Sequence, residues 1–474
     1  MLRQTSSYMI AHGVSALLGF SAIVIFTRLL SPEQYGIYVF GMSVASIANA
    51  VLFDWVRLAI LRYQSEGGGT DIRITAFAGY ALSASLSPII VLVLVVATGA
   101  DWPDLALATL LALALGLFEF GQEILKARQE PGAYMRAAIT RAVVTLCTSF
   151  VLVQLGFGGI GMLLGLSTAY LACGMIFAPR IWRRPVRGFD RVDFRRAAAF
   201  GVPIAISGAV FAVHAALDRL IVIQLLGEGA AGVYGASADL VRQIILFPAI
   251  AVGSAVVPMI IRSLAEGGTA RANGQLAASI ELLVAVVLPA VAGLAIVAAP
   301  FSAVVLGPEF RDATAQLIPI LAFAWLLHAI TDQYVQVSFH LAKAPRFVLM
   351  QGTVLLCVNV SVTLMLVPRI GLVGAAWALV IAELAGVVAG FLFARRAHPL
   401  PLPIGPLMRV VAATAMMAAP TLLVTRMDWP DPFLALIAAV VTGIASYALA
   451  AILLDVMGVR GKILAQLRPA PAGA

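Results

Sequence analysis

Apolar side chains fall in long runs along almost the whole chain. The runs lie near residues 8–27, 37–60, 75–98, 104–122, 137–155, 159–178, 199–225, 232–260, 280–300, 315–340, 347–367, 372–394, 406–425 and 432–454. A helix crossing the hydrocarbon core of a bilayer needs roughly 20 mostly apolar residues. The pattern therefore predicts an all-α polytopic membrane protein with about fourteen spans. The first run is too long for a cleavable signal peptide and leads into a second span after a short turn, so it is expected to stay as a helix. Composition agrees: 62% of the 474 residues are hydrophobic and 11% are charged. A soluble domain has about 25% charged residues. So few charges cannot cover a water-exposed surface, which excludes a soluble enzyme, a disordered scaffold and a nucleic-acid-binding domain.

The net charge of +8 becomes informative once its positions are read. With the N-terminus in the cytoplasm, 23 of the 31 Lys and Arg residues fall on cytoplasmic segments. Four (Arg28, Arg311, Arg369 and Arg426) fall outside, and four (Arg57, Arg141, Arg219 and Arg242) fall within spans. This alternation follows the positive-inside rule and predicts that both termini are cytoplasmic. The basic charge then serves topology and anionic lipid at the cytoplasmic face, not nucleic acid. The external connections are short. The longest hydrophilic stretch is cytoplasmic, Arg180–Ala197 with seven arginines, and is expected to lie along anionic headgroups.

That linker separates six spans from eight, and the two parts resemble each other. Leu29–Tyr38 aligns with Leu225–Tyr234 at an offset of 196, with Gly36 opposite Gly232. Pro131 matches Pro345, and Gly156 and Gly159 match Gly371 and Gly374. An even number of spans per copy gives both copies one orientation, related by an axis along the membrane normal. The expected organisation is an N-lobe over 1–178, a basic linker over 179–198 and a C-lobe over 199–396. Two further helices follow over 404–455, with a cytoplasmic tail over 456–474. Two pseudo-symmetric six-helix lobes around a cleft are the architecture of an alternating-access carrier. The pairs Gly161/Gly165 and Gly386/Gly390 are matched GxxxG spacings of the kind that let helix backbones approach.

Ionisable groups at bilayer depth cost several kcal/mol on insertion scales, so each is a candidate functional residue. Asp54 and Arg57 share one face of span two, and Arg141 lies in span five. Glu119 and Glu123 sit toward the cytoplasmic end of span four. His214, Asp218 and Arg219 lie in span seven, with Asp239 and Arg242 in span eight. His328 and Asp332 are spaced i, i+4 in span ten; Glu383 is in span twelve and His12 in span one. Arg57, Arg141, Arg219 and Arg242 are the candidate cations for an anionic substrate, since the guanidinium fork binds phosphate bidentately. Asp54, His214, Asp218, Asp239 and Asp332 are the candidate coupling or charge-balancing groups. The alternative for Asp54/Arg57 and Asp239/Arg242 is simple intrahelical pairing. For Arg57, Arg141 and the span-four glutamates it is snorkelling to the interface.

Several motifs fail on context. Gly156–Gly161 matches GxGxxG but follows no strand, and Asn359-Val-Ser361 matches a glycosylation acceptor but lies in a span. Cys147, Cys173 and Cys357 all sit in apolar runs, with no metal or disulfide spacing. No nucleotide-binding loop is present, so no cofactor or resident metal is expected.

The segments Phe26–Phe40 (FTRLLSPEQYGIYVF), Phe53–Gln64 (FDWVRLAILRYQ) and Val202–Leu240 resemble the polysaccharide-exporter branch of the multidrug/oligosaccharidyl-lipid/polysaccharide flippase superfamily. The resemblance implies a MATE-like flippase fold and a bacterial inner-membrane location. Its implied cargo is a polyprenyl-diphosphate-linked oligosaccharide, moved from cytoplasmic to outer leaflet for surface polysaccharide biosynthesis. It also implies partners among the polysaccharide polymerase and chain-length machinery, and carries Arg57, Arg219 and Arg242 over as cavity cations. The rivals are a lipid-linked peptidoglycan precursor flippase and a cation-coupled multidrug exporter, whose relatives commonly place an acid in span one, where this chain has none. A membrane polysaccharide polymerase is disfavoured by the short external loops. The reading is thus of a carrier and not of an enzyme.

Overall fold

The computed structural model describes residues 2–64, 71–98, 102–183 and 187–461. The side chains of Arg3, His12 and Asp104 lie outside the described residues, as do Asp101, Arg184, Lys462 and Arg468 with most of the tail.

Among the described residues the regular structure is all helical. The helices are α1 (Leu2–Leu29), α2 (Pro32–Tyr63), α3 (Arg73–Thr98), α4 (Trp102–Ala127), α5 (Pro131–Leu152), α6 (Gly158–Trp182) and α7 (Arg191–Leu226). They continue with α8 (Glu228–Ile296), α9 (Ala298–Val305), α10 (Pro308–Ile330), α11 (Gln336–Leu341), α12 (Pro345–Ala394), α13 (Ile404–Thr425) and α14 (Pro432–Leu453). Among the described residues, ten helical stretches are long and apolar enough to cross a membrane, and Gly13–Leu29 is a shorter apolar one. Three of the ten are too long for one crossing, at 52, 69 and 50 residues. Each breaks once: at Gly156 between α5 and α6, at Gly268 in α8, and at Ile370 and Gly371 in α12. Counting both sides of each break, with α1 added, gives about fourteen spans. The protein is a multi-pass membrane protein.

Local sequence explains where helices start. Ser31 caps α2: its hydroxyl accepts from the Gln34 N–H at 3.4 Å, and the Gln34 side chain accepts from the Ser31 N–H at 3.3 Å. Pro32 occupies the first turn, where its missing donor costs nothing. Asp190 caps α7 through Val192 N–H and Asp193 N–H at 2.7 and 3.2 Å. The backbone N–H of Asp190 donates to Thr75 Oγ1 at 3.2 Å. The basic linker therefore ends docked on the start of α3.

The sequence repeat reappears as repeated backbone geometry. Before Pro131, Gln129 has φ 55°; before Pro345, Lys343 has φ 51°. In the first copy Glu130 N–H donates to Leu125 O at 3.0 Å, and Gln129 N–H to Lys126 O at 2.8 Å. In the second, Ala344 N–H donates to Phe339 O at 3.0 Å, and Lys343 N–H to His340 O at 3.1 Å. Both are left-handed helix stops that satisfy terminal carbonyls. Gly156 and Gly371, with φ 91° and 61°, make the matching breaks, which a residue bearing Cβ adopts at a cost.

The chain divides into two compact units: Met1–Ala236 with Leu355–Ala375, and Ser237–Val354 with Ala376–Ala474. Compactness therefore runs across the linker at 179–198, because α7 packs along α2. Gly201 lets α7 approach the backbone of Trp55, where an added Cβ would lie 3.0 Å from the carbonyl carbon. The first unit's core joins Phe53, Val56 and Ile60 of α2 to Tyr80, Phe118, Phe120, Leu163 and Tyr170. Gly165 packs on Ser149, where a Cβ would lie 2.5 Å from Cα; the GxxxG pair of α6 is thus a contact with α5. In the second unit, Gln351 Nε2 donates to Gly386 O at 2.9 Å and lies against Gly390.

Within the first unit the ends of α2 and α8 cross at their repeat-related glycines. An added Cβ on Gly36 would fall 2.6 Å from the carbonyl carbon of Glu228. One on Gly232 would fall 3.0 Å from that of Pro32 and 2.9 Å from the nitrogen of Gly36. Gly229 lies on Glu33 and Gly235 on Val39. The offset of 196 exchanges the two sides of every one of these contacts, which is the signature of a local two-fold crossing.

Candidate functional site

Among the described residues, the candidate ionisable side chains inside the spans fall into three groups. The largest is in the first unit. Arg57 Nη1 lies 2.7 Å from Asp54 Oδ1 and 3.0 Å from Glu119 Oε2 of α4, and Nη2 lies 3.6 Å from Glu123 Oε1. Lys126 Nζ lies 2.8 Å from the same Glu123 oxygen. Asn49 Nδ2 donates to Glu119 Oε2 at 2.8 Å. Gly208 of α7 leaves the space beside Asp54, its Cβ position 3.5 Å from Oδ2. Arg141 Nη1 donates to Tyr170 OH at 3.3 Å, and its guanidinium lies 5.1 Å from the Tyr170 ring centre and 5.9 Å from that of Phe118. At 1.5 Å per residue, Asp54 lies about 14 Å from the Tyr63 end of α2 and Arg141 about 15 Å from the start of α5.

This geometry bears on two of the alternatives. Arg57 is not a free cation: the intrahelical pair with Asp54 forms, and Glu119 joins it from α4. Nor do the span-four glutamates snorkel to the interface. Glu123 is buried between Arg57 and Lys126, and Glu119 faces Arg57. Three carboxylates meet Arg57, Lys126 and the nearby Arg141, so the set is close to neutral. Asp54, Arg57 and Glu119 keep 24–30% of their side-chain surface exposed. At membrane depth, charges this exposed need water beside them, because acyl chains offer no solvation.

The second set belongs to α7. Asp218 is buried and accepts from Tyr234 OH at 2.8 Å, while its other oxygen accepts from the Arg219 N–H at 2.7 Å. His214 is buried too, with Asn359 Nδ2 donating to its Nδ1 at 3.2 Å and Thr363 Oγ1 donating to Asn359 Oδ1 at 2.9 Å. The cross-helix partner of Asp218 is thus a tyrosine, and the glycosylation-like Asn359 serves as the partner of His214. Arg219 lies about 10 Å from the Leu226 end of α7, well separated in depth from Arg57.

The third set is in the second unit. His328 Nδ1 lies 2.9 Å from Glu383 Oε1, and Trp325 stands edge-on to the imidazole at 5.1 Å. Asp332 accepts from Gln333 Nε2 at 2.5 Å and lies in a widened turn, Thr331–Val335. Arg242 is exposed, about 21 Å along α8 from its start. Asp239, one turn before it, is a partner in its own contacts. Among the described residues no three His, Cys, Asp or Glu side chains gather as a metal site.

The described residues thus form a helical multi-pass membrane fold with ionic sets at membrane depth. The chain belongs to the polysaccharide biosynthesis protein family, whose model matches residues 25–315. Its fold is that of the flippases and transporters of the superfamily named above. A lipid II flippase MurJ, in an inward closed conformation, superposes with a TM-score of 0.77 at 16% identity, covering 94% of this chain and 98% of that one. An inward-facing multidrug resistance MATE family transporter gives 0.62 at 17% identity, covering 84% and 95%. A superfamily transporter from Pyrococcus furiosus, described as having a binding pocket of reverse polarity, gives 0.59 at 16% identity, covering 87% and 95%. No curated protein matches the chain by sequence.

Proposed function

We propose that the protein is a flippase that moves a polyprenyl-diphosphate-linked oligosaccharide from the cytoplasmic to the outer leaflet by alternating access. The observation that carries this reading is the partly exposed ionic set Asp54–Arg57–Glu119 at membrane depth, in a chain of the polysaccharide biosynthesis family. A sugar head cannot enter hydrocarbon, because its hydroxyls lose their water without gaining partners. A hydrated, ion-lined passage removes that cost while the prenyl tail stays in the bilayer. No bond need be made or broken.

The ionic sets divide the labour. Arg57 and Arg141 hold the balanced set toward the arginine-rich end, where a head group enters. Arg219 and Arg242, exposed or nearer the opposite helix ends, engage the diphosphate as it crosses. Asp54, His214, Asp218, Asp239 and Asp332 balance charge as these arginines change partners. The positive-inside pattern supports cytoplasmic termini, and the family resemblance supports a bacterial inner-membrane location alongside polymerase and chain-length proteins.

The test is leaflet accessibility in proteoliposomes. A fluorescent lipid-linked oligosaccharide becomes fully accessible to an impermeant quencher with the protein present, and half accessible in empty vesicles. Half accessibility in both, with a peptidoglycan precursor or a lipophilic cation moving in its place, rejects the cargo.

A further inference from the structure

We propose that the arginine-rich ends of α5 and α6 form a binding site for one resident anionic glycerophospholipid of the adjacent leaflet, independent of the cargo. A groove of about 640 Å³ opens between these helices, lined by Arg136 and Thr140 of α5 and by Ile176, Phe177, Arg180 and Arg183 at the end of α6. Its volume falls in the range of small-ligand sites, roughly 300–1,000 Å³. The lining is built in two columns. Arg136 and Thr140 are spaced i, i+4, and Ile176, Arg180 and Arg183 are spaced i, i+4, i+7, so each column is one helix face.

The three arginines are not needed to cap α6. The last carbonyls of α6 are already capped from elsewhere. Arg128 donates to Arg180 O and Ile181 O at 3.3 and 3.0 Å, and Arg73 donates to Ile181 O at 2.7 Å. Within the groove, Arg180 Nε meets Glu130 Oε2 at 2.7 Å and Arg136 Nε donates to Gly132 O of its own helix at 3.3 Å. Three guanidiniums against one carboxylate leave a net charge of about +2 lining the groove. Immediately above, Met175 and Ile176 are 64% and 61% exposed, an apolar face suited to acyl chains. Cations directly below an apolar helix face match a phosphodiester directly below its acyl chains. None of the lining residues belongs to the Arg57 set.

The experiment uses the purified full chain. Native mass spectrometry after delipidation and re-addition compares phosphatidylglycerol with phosphatidylcholine. Wild type retains one phosphatidylglycerol at least tenfold more strongly, and Arg136→Gln/Arg180→Gln/Arg183→Gln loses that preference. Arg195→Gln/Arg196→Gln, which removes charge at the start of α7, keeps it. Equal preference in the triple variant overturns the proposal, and so does equal loss in the α7 variant, which reduces the effect to general basic charge. Preferential retention of a polyprenyl phosphate over phosphatidylglycerol also overturns it, since the groove is then a cargo site. A second readout leaves every arginine in place: Phe177→Trp fluorescence is quenched more by brominated phosphatidylglycerol than by brominated phosphatidylcholine. Equal quenching overturns the proposal even where the triple variant fails to fold.

Discussion

Adding one methyl group to each glycine of the α2–α8 crossing gives a pair of perturbations whose coupling follows from the geometry. The Cβ of Gly36→Ala would sit 2.6 Å from the carbonyl carbon of Glu228, and that of Gly232→Ala 3.0 Å from that of Pro32. Carbon atoms at rest lie about 3.5–4.0 Å apart. The obstacles are backbone atoms, with no rotamer to yield, so the helices must open by about 1 Å. A gap of that size forfeits a quarter to a half of each contact's attraction, here including Gly235 on Val39 and Gly229 on Glu33. Each single variant is therefore expected to cost about 2–3 kcal/mol, at the upper end for overpacking. Once one alanine has opened the crossing, the second finds room. The double variant is expected to cost about 3 kcal/mol, a coupling of roughly 2 kcal/mol in a double-mutant cycle. Unfolding in mixed detergent micelles measures all four corners. Additivity within about 0.5 kcal/mol would falsify the shared two-fold contact.

Three further outcomes are expected. Arg57→Ala leaves Asp54, Glu119 and Glu123 facing one another and lowers stability by about 2 kcal/mol, below the 3–5 of a fully buried pair because the set is partly exposed; Glu119→Gln added to it restores part of the loss in the same unfolding measurement. Tyr234→Phe takes the donor from the buried Asp218 carboxylate and costs about 1–3 kcal/mol, whereas an effect near zero removes that bond from the account. Asp190 is held below its ordinary pKa of 3.8 by hydrogen bonds from the Val192 and Asp193 backbone, which outweigh a small rise from burial. Its cap is fully present above pH 3.8 and is lost as pH falls below; amide exchange at Val192 and Asp193, corrected for the intrinsic rate, should accelerate in that window, and a flat profile contradicts the cap.

The spans were legible because their signal is local: a run of about 20 apolar residues needs no partner. The repeat was legible at positions where the backbone is special, and Pro131/Pro345 and Gly156/Gly371 return as matched turns. Side-chain partners were less so. Asp54 with Arg57 is an i, i+3 pair and could be read, but Glu119 reaches Arg57 from another helix. The rotation of α4 against α2 is set by packing at Gly116 on Phe53 and at Tyr80. Glu119 and Glu123, on one face of α4, carried the signal that an unseen cation stood opposite. His328 followed the same rule: its i, i+4 neighbour Asp332 suggested one pairing, and the structure supplies Glu383 from α12. The compact units were not legible at the linker, because the small residue that lets α7 lie against α2 is Gly201, beyond the basic stretch.

The most direct test of the account is the transport rate of the Arg219→Ala/Arg242→Ala double variant, reconstituted beside wild type at equal protein density with a fluorescent lipid-linked oligosaccharide. A rate reduced at least tenfold, in protein that is still folded by circular dichroism and size exclusion, is the predicted result. Movement at the wild-type rate would mean that the anionic head crosses without these guanidiniums, and the cationic passage would have to be abandoned.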